Sequence, residues 1–473
     1  MLFSSIPFLF FFLPVTLAVY YVVPRAGKNA VLLFFSLVFY AWGEPAFVLL
    51  MILSIVVNWW LGLRLEHARG TDHAKRARTW LVVAVIFNIG LLGFFKYADF
   101  IAGNIAALTG ADISMPGLPL PIGISFYTFQ ILSYVIDLYW GRVWVQTNII
   151  DLGTYVALFP QLIAGPIVRI RDVAVALRER QETFAMFAEG ISRFVTGLAK
   201  KVLLANSIGA VWSDIQAMPL GSLPVLTAWT GILSFAFQIY FDFSAYSDMA
   251  IGLGLMFGFR FNENFDYPYT AVSITDFWRR WHISLSSWFR EYVYIPLGGN
   301  RRGLPRQVMN LFIVWFLTGL WHGANWNFVL WGLYFAVLLF IEKAFLGKRL
   351  ARLPKALNRL YTLFFVIISW VIFSFESVRD IGAYIGAMFG SAGIFADAGS
   401  GYHLLSNLVL FAVLIVASTP WPRLFFFRLR VRLDETGGRW LFVLRLAAGG
   451  VLLLLTTAHL VDAGFNPFLY FRF

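Results

Sequence analysis

The segment at residues 307–341, QVMNLFIVWFLTGLWHGANWNFVLWGLYFAVLLFI, contains no Asp, Glu, Lys or Arg. It is long enough for two helices, and its central residues 323–325 favour a turn. A basic cluster at 301–306 precedes it and the charged pair 342–343 follows it, so both ends are expected on one side of a membrane. The first leg, 307–322, rises about 24 Å, less than a hydrocarbon core of about 30 Å. The turn is therefore predicted to lie below the opposite membrane surface.

His322 is the only side chain in this segment that titrates near neutral pH. Placing an imidazole at membrane depth costs desolvation energy, and ionisable groups in such positions usually face a cavity or a pathway. The alternative is a structural histidine that donates one hydrogen bond to a backbone carbonyl. The residues alone leave both interpretations open.

Composition assigns the whole chain to the polytopic membrane proteins. Of its 473 residues, 60% are hydrophobic and 13% are charged, whereas soluble proteins carry about 25% charged residues. The absence of cysteine excludes disulfides, thiolate catalysis and thiolate metal sites. An excess of cytoplasmic Lys and Arg explains the net charge of +12 at least as well as nucleic-acid binding does. We therefore predict no nucleic-acid partner and no metal site.

Hydrophobic runs predict an all-α polytopic fold with about 11–12 transmembrane helices. The basic stretches at 64–78 and 343–359 are predicted to be cytoplasmic, and the nearly uncharged loops at 108–118 and 389–402 to lie outside, which places both termini outside. The first run lacks a basic segment before it and a clean cleavage site after it, so it is predicted to be a helix of the mature protein. The runs lie near 7–23, 29–44, 46–63, 79–95, 119–139, 184–210, 222–243, 307–322, 326–341, 358–377, 404–419 and 440–461.

Two stretches do not fit a simple bundle. Residues 158–168 are apolar but contain Pro160, Gly165 and Pro166, which interrupt helical hydrogen bonding. Irregular backbone at membrane depth needs protein or a water-filled cavity around it, so a re-entrant segment is predicted. Residues 261–300 are too polar to span a membrane and are predicted to form interfacial amphipathic helices.

The interfacial segment contains the second notable histidine, His282. Asp276 is predicted to cap a short helix there. That helix would place three tryptophans on an apolar side and three arginines toward lipid headgroups or a phosphate. These residues are Trp278, Trp281 and Trp288, and Arg279, Arg280 and Arg290.

Several motifs, in order along nearly the whole chain, resemble the membrane-bound O-acyltransferase (MBOAT) family, in particular its bacterial branch of polysaccharide O-acetyltransferase membrane subunits. The resemblance implies one MBOAT domain over 1–473, with a catalytic core at about 119–345 and with re-entrant and interfacial helices around a central tunnel. The motifs are FYTFQILSYVIDLY (126–139), FPQLIAGPIVR (159–169), GLAKKVLLAN (197–206), QIYFDFSAYSDMAIG (238–252), FWRRWHISLSSWFREYVYIPLGGNR (277–301), LTGLWHGANWNFVLWG (317–332) and PFLYFRF (467–473).

The resemblance also implies an activity. His322 matches the catalytic histidine of the family, and His282 matches a second, upstream histidine of the bacterial branch. The family pattern implies that acetyl-CoA, bound as a substrate and not as a permanent cofactor, donates its acetyl group from the cytoplasm. The acetyl group then passes across the bacterial inner membrane, through a periplasmic SGNH-hydrolase-like acetyltransferase, to an exported polysaccharide such as alginate. The particular polysaccharide stays open.

The residue types suit this chemistry. An imidazole can deprotonate a nucleophile, or it can carry the acetyl group itself. Asn325, the Trp326 Nε1 atom and His282 are candidate donors to the developing oxyanion, although Asn325 also fits a plain turn residue. Arg279, Arg280 and Arg290 fit coenzyme phosphates or lipid headgroups equally well. Four polar residues are predicted either to line the tunnel or to mark a helix end that meets water: Asp242, Ser244, Tyr246 and Asp248.

Two other functions are compatible with parts of this pattern. A D-alanyl transfer protein for teichoic acid would take its acyl group from a small carrier protein. A proton-coupled transporter would use His282 and His322 as relay groups, but such transporters usually show two matching halves, and the sequence contains no internal repeat.

Overall fold

The computed structural model describes residues 1–70, 73–113, 117–462 and 469. Within these ranges all regular secondary structure is helical and no strand occurs, which confirms the all-α prediction. Every predicted apolar run coincides with a helix. The predicted terminal motif at 467–473 lies outside the described residues, apart from Leu469.

The amino-terminal half of the chain forms the first ten α-helices. A π-helical turn at Phe8–Phe12 leads into the first, and another at Lys200–Ala205 joins the last two. The helices are α1 (Leu13–Val22), α2 (Lys28–Gly43), α3 (Phe47–Gly70), α4 (Ala74–Thr109), α5 (Ile124–Tyr139), α6 (Ile149–Ala157), α7 (Phe159–Leu162), α8 (Ile170–Glu179), α9 (Phe184–Ala199) and α10 (Asn206–Gln216).

The remainder forms eleven further α-helices. They are α11 (Val225–Met256), α12 (Ile274–Arg280), α13 (Ile283–Phe289), α14 (Gly303–His322), α15 (Trp326–Ile341), α16 (Gly347–Leu350), α17 (Lys355–Ser374), α18 (Val378–Met388), α19 (Ala398–Ser406), α20 (Leu408–Ala417) and α21 (Trp421–Asp462).

Six helices of the described chain are long and apolar enough to cross a membrane, and a seventh span results if α19 and α20, bent by 50°, count as one. Some predicted spans form helices that are too short for a straight crossing, which needs about 20 residues. Helices α1 and α5, for example, contain 10 and 16 residues. The six spans are Arg25–Gly43, Phe47–Gly70, Ala74–Thr109, Phe184–Gln216, Trp326–Leu350 and Lys355–Ser374.

The predicted runs at 404–419 and 440–461 leave the basic stretch at 423–439 between two spans, where a loop is the natural expectation, and here the structure differs. Helix α21 continues through it for 42 residues. The only proline in the helix, Pro422, lies in its first turn, where a missing N–H is tolerated. Because no proline follows, the backbone hydrogen bonds can continue through the charged residues.

The segment at 158–168 has the irregular backbone that its prolines and glycine predict. Helix α6 ends at Ala157, the short α7 follows, and every residue from 158 to 168 is buried. A Cβ atom on Gly165 would lie 2.6 Å from the Cα atom of Gln161, so this chain reversal requires glycine. Protein therefore surrounds the irregular backbone, as the prediction requires, and its re-entrant path through a membrane stays a prediction.

The chain forms two compact units. The first comprises Met1–Phe194 and Ser247–Asn262, and the second comprises Val195–Tyr246 and Glu263–Phe473. Phenylalanine rings pack in the first unit, where Phe8 and Phe39 lie 6.1 and 5.5 Å from the ring of Phe159. Both histidines of interest belong to the second unit.

The polar segment at 261–300 forms the short helices α12 and α13, and their interfacial position stays a prediction. The cap of α12 differs from the expected one: the Ser273 hydroxyl accepts a hydrogen bond from the Asp276 N–H at 2.9 Å. The Asp276 carboxylate accepts from the Val272 N–H at 3.1 Å instead. The helix therefore starts three residues earlier than predicted, because serine and aspartate satisfy neighbouring N–H groups together.

Candidate active site

The hairpin of α14 and α15 places His322 at the last position of α14. Two glycines allow the helices to approach. A Cβ atom on Gly319 would lie 2.4 Å from the Phe328 carbonyl oxygen, and one on Gly332 would lie 2.3 Å from the Trp315 carbonyl oxygen. Since any larger side chain would clash with backbone, the close packing that holds His322 depends on both glycines.

Aromatic rings enclose the His322 imidazole. The ring centroids of Trp331, Phe373 and Trp321 lie 4.8, 5.4 and 5.0 Å from that of His322, all in edge-to-face geometry. The residue is 8% exposed. These three rings, called the aromatic box below, fix the orientation of the imidazole and keep bulk water away from it.

His282 lies between α12 and α13 in a strained backbone conformation. Its φ and ψ angles are 44° and 55°, in the left-handed region that few residues other than glycine adopt. The residue is 1% exposed, and burial lowers the pKa of the imidazole to about 3. The ring is therefore neutral at physiological pH. Strain of this kind persists only where the surrounding structure enforces it, and it is common at functional sites.

Asn264 holds His282 through its side chain. The Asn264 Oδ1 atom lies 3.2 Å from His282 Nδ1, and it also accepts from the Ser284 N–H at 3.2 Å and the Ser284 hydroxyl at 2.9 Å. The opposite ring nitrogen, Nε2, is buried and has no hydrogen-bond partner among the residues that the structure describes.

One indole brings the two histidines together. The Trp321 ring lies 5.8 Å from the His282 ring and 5.0 Å from the His322 ring, centroid to centroid. The two imidazoles are therefore no farther apart than the sum of these distances. Residues that are far apart in the sequence thus lie together in one buried candidate site.

Two contacts attach the His282 segment to the α14–α15 hairpin. The Trp278 ring packs against Trp315, Trp331 and Phe335, at centroid distances of 4.6, 5.5 and 4.9 Å. At the end of α15, the Glu342 carboxylate accepts hydrogen bonds from the first N–H groups of α12, at 2.6 and 2.9 Å. A carboxylate is well suited to a helix start, where the N–H groups lack partners. These contacts set the distance between the two histidines.

Asn325 and Trp326, two candidate oxyanion donors, occupy the turn after His322. Asn325 caps α15, with its side-chain oxygen 2.6 Å from the Trp326 N–H. Trp326 is 53% exposed, whereas both histidines are buried. The geometry of Asn325 fits the turn interpretation, and the Trp326 indole lies on the surface.

Three members of the predicted polar cluster of α11 are buried and Asp248 is half-buried; the cluster comprises two carboxylates in ion pairs and two hydroxyl groups. Asp242 lies 2.5 Å from the ammonium nitrogen of Lys201, and both side chains are almost fully buried. Asp248 pairs with Arg193 at 2.7 Å. The hydroxyl groups of Ser244 and Tyr246 are also buried. The two carboxylates are therefore held by cations, while the hydroxyl groups line the interior.

The three predicted phosphate-binding arginines differ in availability. Arg280 forms ion pairs with Asp276 at 3.0 Å and Asp266 at 3.5 Å. Arg279 and Arg290 are exposed and have no ion pair with any residue in the described part of the chain. These two guanidinium groups are free to bind an anion. The three tryptophans of the same segment are buried, as predicted.

A separate apolar cavity of about 560 Å³ lies beside the α14–α15 hairpin, and neither histidine lines it. Its volume is in the range of small-molecule sites. Its wall includes Val308, Leu311, Leu339, Phe340, Glu342 and Lys343. Within the described ranges, no group of three His, Asp or Glu side chains is arranged to hold a metal ion.

Sequence reasoning missed two residues of this region. Asn264 carries no motif of its own, and only its contact with His282 reveals it. Lys201 belongs to a quoted motif, but nothing local predicts its ion pair with Asp242, 41 positions away by the residue numbers. An uncompensated lysine within a predicted span was the one available signal, because such charges usually have a partner.

Comparisons with known proteins identify the family of this chain. Residues 145–382, which contain both histidines, match the membrane-bound O-acyltransferase family. The probable alginate O-acetylase AlgI of Pseudomonas syringae pv. tomato is 46% identical over 82% of this chain and 75% of its own length. The protein of the same name from Pseudomonas putida is 40% identical over the full length of both. The peptidoglycan O-acetyltransferase of Helicobacter pylori is 35% identical over 83% of this chain and 81% of its own.

Proposed function

This chain belongs to the membrane-bound O-acyltransferase family and is an O-acyltransferase, and from that premise we propose that it transfers acetyl groups to an exported polysaccharide such as alginate. Acetyl-CoA is the donor and meets the protein at the cytoplasmic face of the bacterial inner membrane. A periplasmic SGNH-hydrolase-like acetyltransferase receives the group and modifies the polysaccharide. Two of the relatives are named as a probable alginate O-acetylase and a peptidoglycan O-acetyltransferase, and these names support a polysaccharide as the final acceptor.

The observation that carries the proposal is the pair of buried imidazoles on either side of Trp321. Acetyl transfer from a thioester to a hydroxyl needs a proton acceptor at the nucleophile, and imidazole is the side chain most often used. The aromatic box excludes water, which would otherwise hydrolyse the thioester. A site of this kind suits transfer better than it suits hydrolysis.

In the proposed reaction His322 acts as the general base. The hydroxyl proton moves to the imidazole while the hydroxyl oxygen forms a bond to the thioester carbonyl carbon. The carbon–sulfur bond then breaks, and the coenzyme thiolate takes the proton from the imidazolium. The products are an acetate ester and free coenzyme A.

Donor and acceptor approach from opposite faces in this proposal. Arg279 and Arg290, which are exposed and free of ion pairs among the described residues, suit the phosphates of coenzyme A. The positive-inside rule puts their segment on the cytoplasmic side and the turn at 323–325 toward the periplasm. The acetyl group then crosses the membrane through chemistry at the histidines, and no whole substrate has to diffuse across.

Sealed membrane vesicles of opposite orientation test the sidedness. Radiolabelled acetyl-CoA added outside inside-out vesicles should label the periplasmic acceptor fraction, and the same addition to right-side-out vesicles should not. Equal labelling in both would contradict transfer across the membrane. Label from a D-alanyl carrier protein in place of acetyl-CoA would instead identify a D-alanyl transfer protein.

A further inference from the structure

The hydrogen bonds of Asn264 determine which nitrogen of His282 carries the proton. A backbone N–H can only donate, and the Ser284 N–H points at the Asn264 side chain at 3.2 Å. The atom that it meets must be the amide oxygen, because the NH₂ group would oppose donor to donor. The backbone N–H of Ser284 therefore fixes the orientation of the Asn264 amide, with its oxygen toward Ser284 and His282.

With the amide so oriented, His282 Nδ1 faces an acceptor at 3.2 Å and must be the donor. The other group near Nδ1 is the Ser284 hydroxyl at 3.5 Å, at the limit of a hydrogen bond, and that hydroxyl lies closer to Asn264, at 2.9 Å. Since the ring is neutral, the proton on Nδ1 leaves a lone pair on Nε2.

The Nε2 atom is therefore a buried acceptor, and it has no hydrogen-bond partner within the described residues. Buried polar atoms in folded proteins are nearly always paired, so a buried acceptor without a protein partner is a candidate contact for a bound substrate. The same ring packs on Trp321, which also contacts His322. The unpaired lone pair thus belongs to the region where the acetyl acceptor would bind.

We infer that Asn264 is a positioning residue that holds His282 in its Nδ1-protonated form, so that Nε2 accepts a hydrogen bond from the hydroxyl group of the acetyl acceptor. This role rests on the proposed function. It excludes His282 from the candidate oxyanion donors, because Nε2 in this form has no proton to donate. The hydroxyl has a single proton: it donates to His282 Nε2 while the acceptor binds, and it then turns to His322, which takes that proton in the transfer step.

Asn264 also supports the strained backbone beside the ring. Its backbone carbonyl oxygen accepts a hydrogen bond from the N–H of Ile283 at 3.0 Å. Ile283 is the residue that directly follows His282. One asparagine, 1% exposed, therefore holds both the backbone and the ring of this histidine. Such double support matches the rule that strained residues need strong local constraints.

Two substitutions of similar size separate orientation from packing. Asn264→Leu removes the acceptor and should lower kcat about 10- to 100-fold, the loss seen when orienting partners of metal-bound histidines are removed. The KM for acetyl-CoA should stay unchanged, because Arg279 and Arg290, the proposed phosphate-binding residues, are exposed, whereas Asn264 is buried beside His282. Asn264→Asp keeps an oxygen acceptor and should restore most of kcat.

Asn310→Leu serves as the matched control, since Asn310 is a fully buried asparagine of α14 that hydrogen-bonds to the carbonyl groups of Leu297 and Gly299. It should lower thermal stability while preserving kcat in the folded fraction. If Asn264→Asp were as inactive as Asn264→Leu, or if both Leu variants lowered kcat equally, the positioning role would be wrong.

A second measurement does not depend on turnover. Protein labelled with ¹⁵N-histidine should show a protonated Nδ1 and an unprotonated Nε2 for His282, assigned by their loss in His282→Ala. In Asn264→Leu the Nε2-protonated form should become populated. An Nε2-protonated His282 in the unmodified protein would overturn the inference even if acetyl transfer were demonstrated. The expected tautomer in a protein that lacks acetyl transfer would overturn the proposed function alone.

Discussion

His322 and His282 are both buried, but different local structures hold them. His322 ends a regular helix and is enclosed by aromatic edges. His282 adopts a left-handed backbone conformation and is held by Asn264. The first arrangement orients the ring by packing, and the second orients it by hydrogen bonds. A pair of this kind allows the two imidazoles to take different roles.

Replacement of His322 should abolish acetyl transfer while the protein still folds. We expect His322→Ala and His322→Asn to lower kcat at least about 100-fold, within the range attributed to a general base. Acetylation of the polysaccharide and the thermal stability of the purified protein would be measured in parallel. His403→Ala, in α19 and away from the site, should stay fully active. Near-normal acetylation by either His322 variant would disprove the catalytic assignment.

The buried ion pair of Lys201 and Asp242 offers a second prediction at this scale. Asp242 also accepts a hydrogen bond from the Leu469 N–H at 3.0 Å, so its charge has two buried partners. Lys201→Ala leaves the carboxylate without its cation and should reduce the free energy of unfolding by about 3–5 kcal/mol. Thermal denaturation in detergent would measure the loss.

The partly exposed pair of Glu66 and Arg69, at 2.8 Å, is the control for this measurement. Glu66→Ala should change stability by no more than about 1 kcal/mol, because solvent screens surface ion pairs. Similar losses for the two substitutions would mean that the burial of the Lys201–Asp242 pair has no energetic consequence.

At the scale of elements, the α14–α15 hairpin is the support of the site. Gly319 and Gly332 let the backbones touch, and Trp278 packs against the hairpin from the His282 segment. A change in the spacing of the two helices would therefore move both histidines.

Gly332→Ala should lower both stability and acetyl transfer. Its Cβ atom would lie 2.3 Å from the Trp315 carbonyl oxygen, so the helices must separate and displace the aromatic box around His322. Gly382→Ala in α18 is the matched control, because a Cβ atom there meets nothing within 4 Å. Alanine should stabilise that helix by about 0.5–1 kcal/mol. A fully active and stable Gly332→Ala variant would show that the close approach is dispensable.

At the scale of the whole molecule, the transfer depends on the orientation of the chain in the membrane. The described helices include six that can cross a bilayer by length and composition. The proposed sidedness comes from the distribution of Lys and Arg. Helix α15 belongs to one of these six spans and α14 to none of them, so the in–out–in path that would bring His322 within reach of the periplasm rests on the basic clusters at both ends of the hairpin.

Reporter fusions test this orientation. A reporter at position 352, in the basic loop after α16, should report the cytoplasm, and reporters at position 112 and after residue 473 should report the periplasm. The reason is the alternation of basic and uncharged loops. A periplasmic signal from position 352 would reverse the path of the hairpin and with it the proposed approach of donor and acceptor.

The sequence by itself determined the membrane class, the helical runs, the turn after His322 and the family. These are properties of composition and of short segments, which hydrophobicity and charge set locally. It also singled out His322, because a lone titratable group in an uncharged segment is visible without any contact.

Only the tertiary structure decided how the site is assembled. Asn264 reaches His282 over 18 positions, and Trp321 meets His282 through packing between separate helices. The partner of Lys201 and the exposed position of Trp326 were likewise invisible in the sequence. The physical reason is that tautomers, ion pairs and burial depend on which distant atoms come within a few ångströms, and no local pattern encodes those distances.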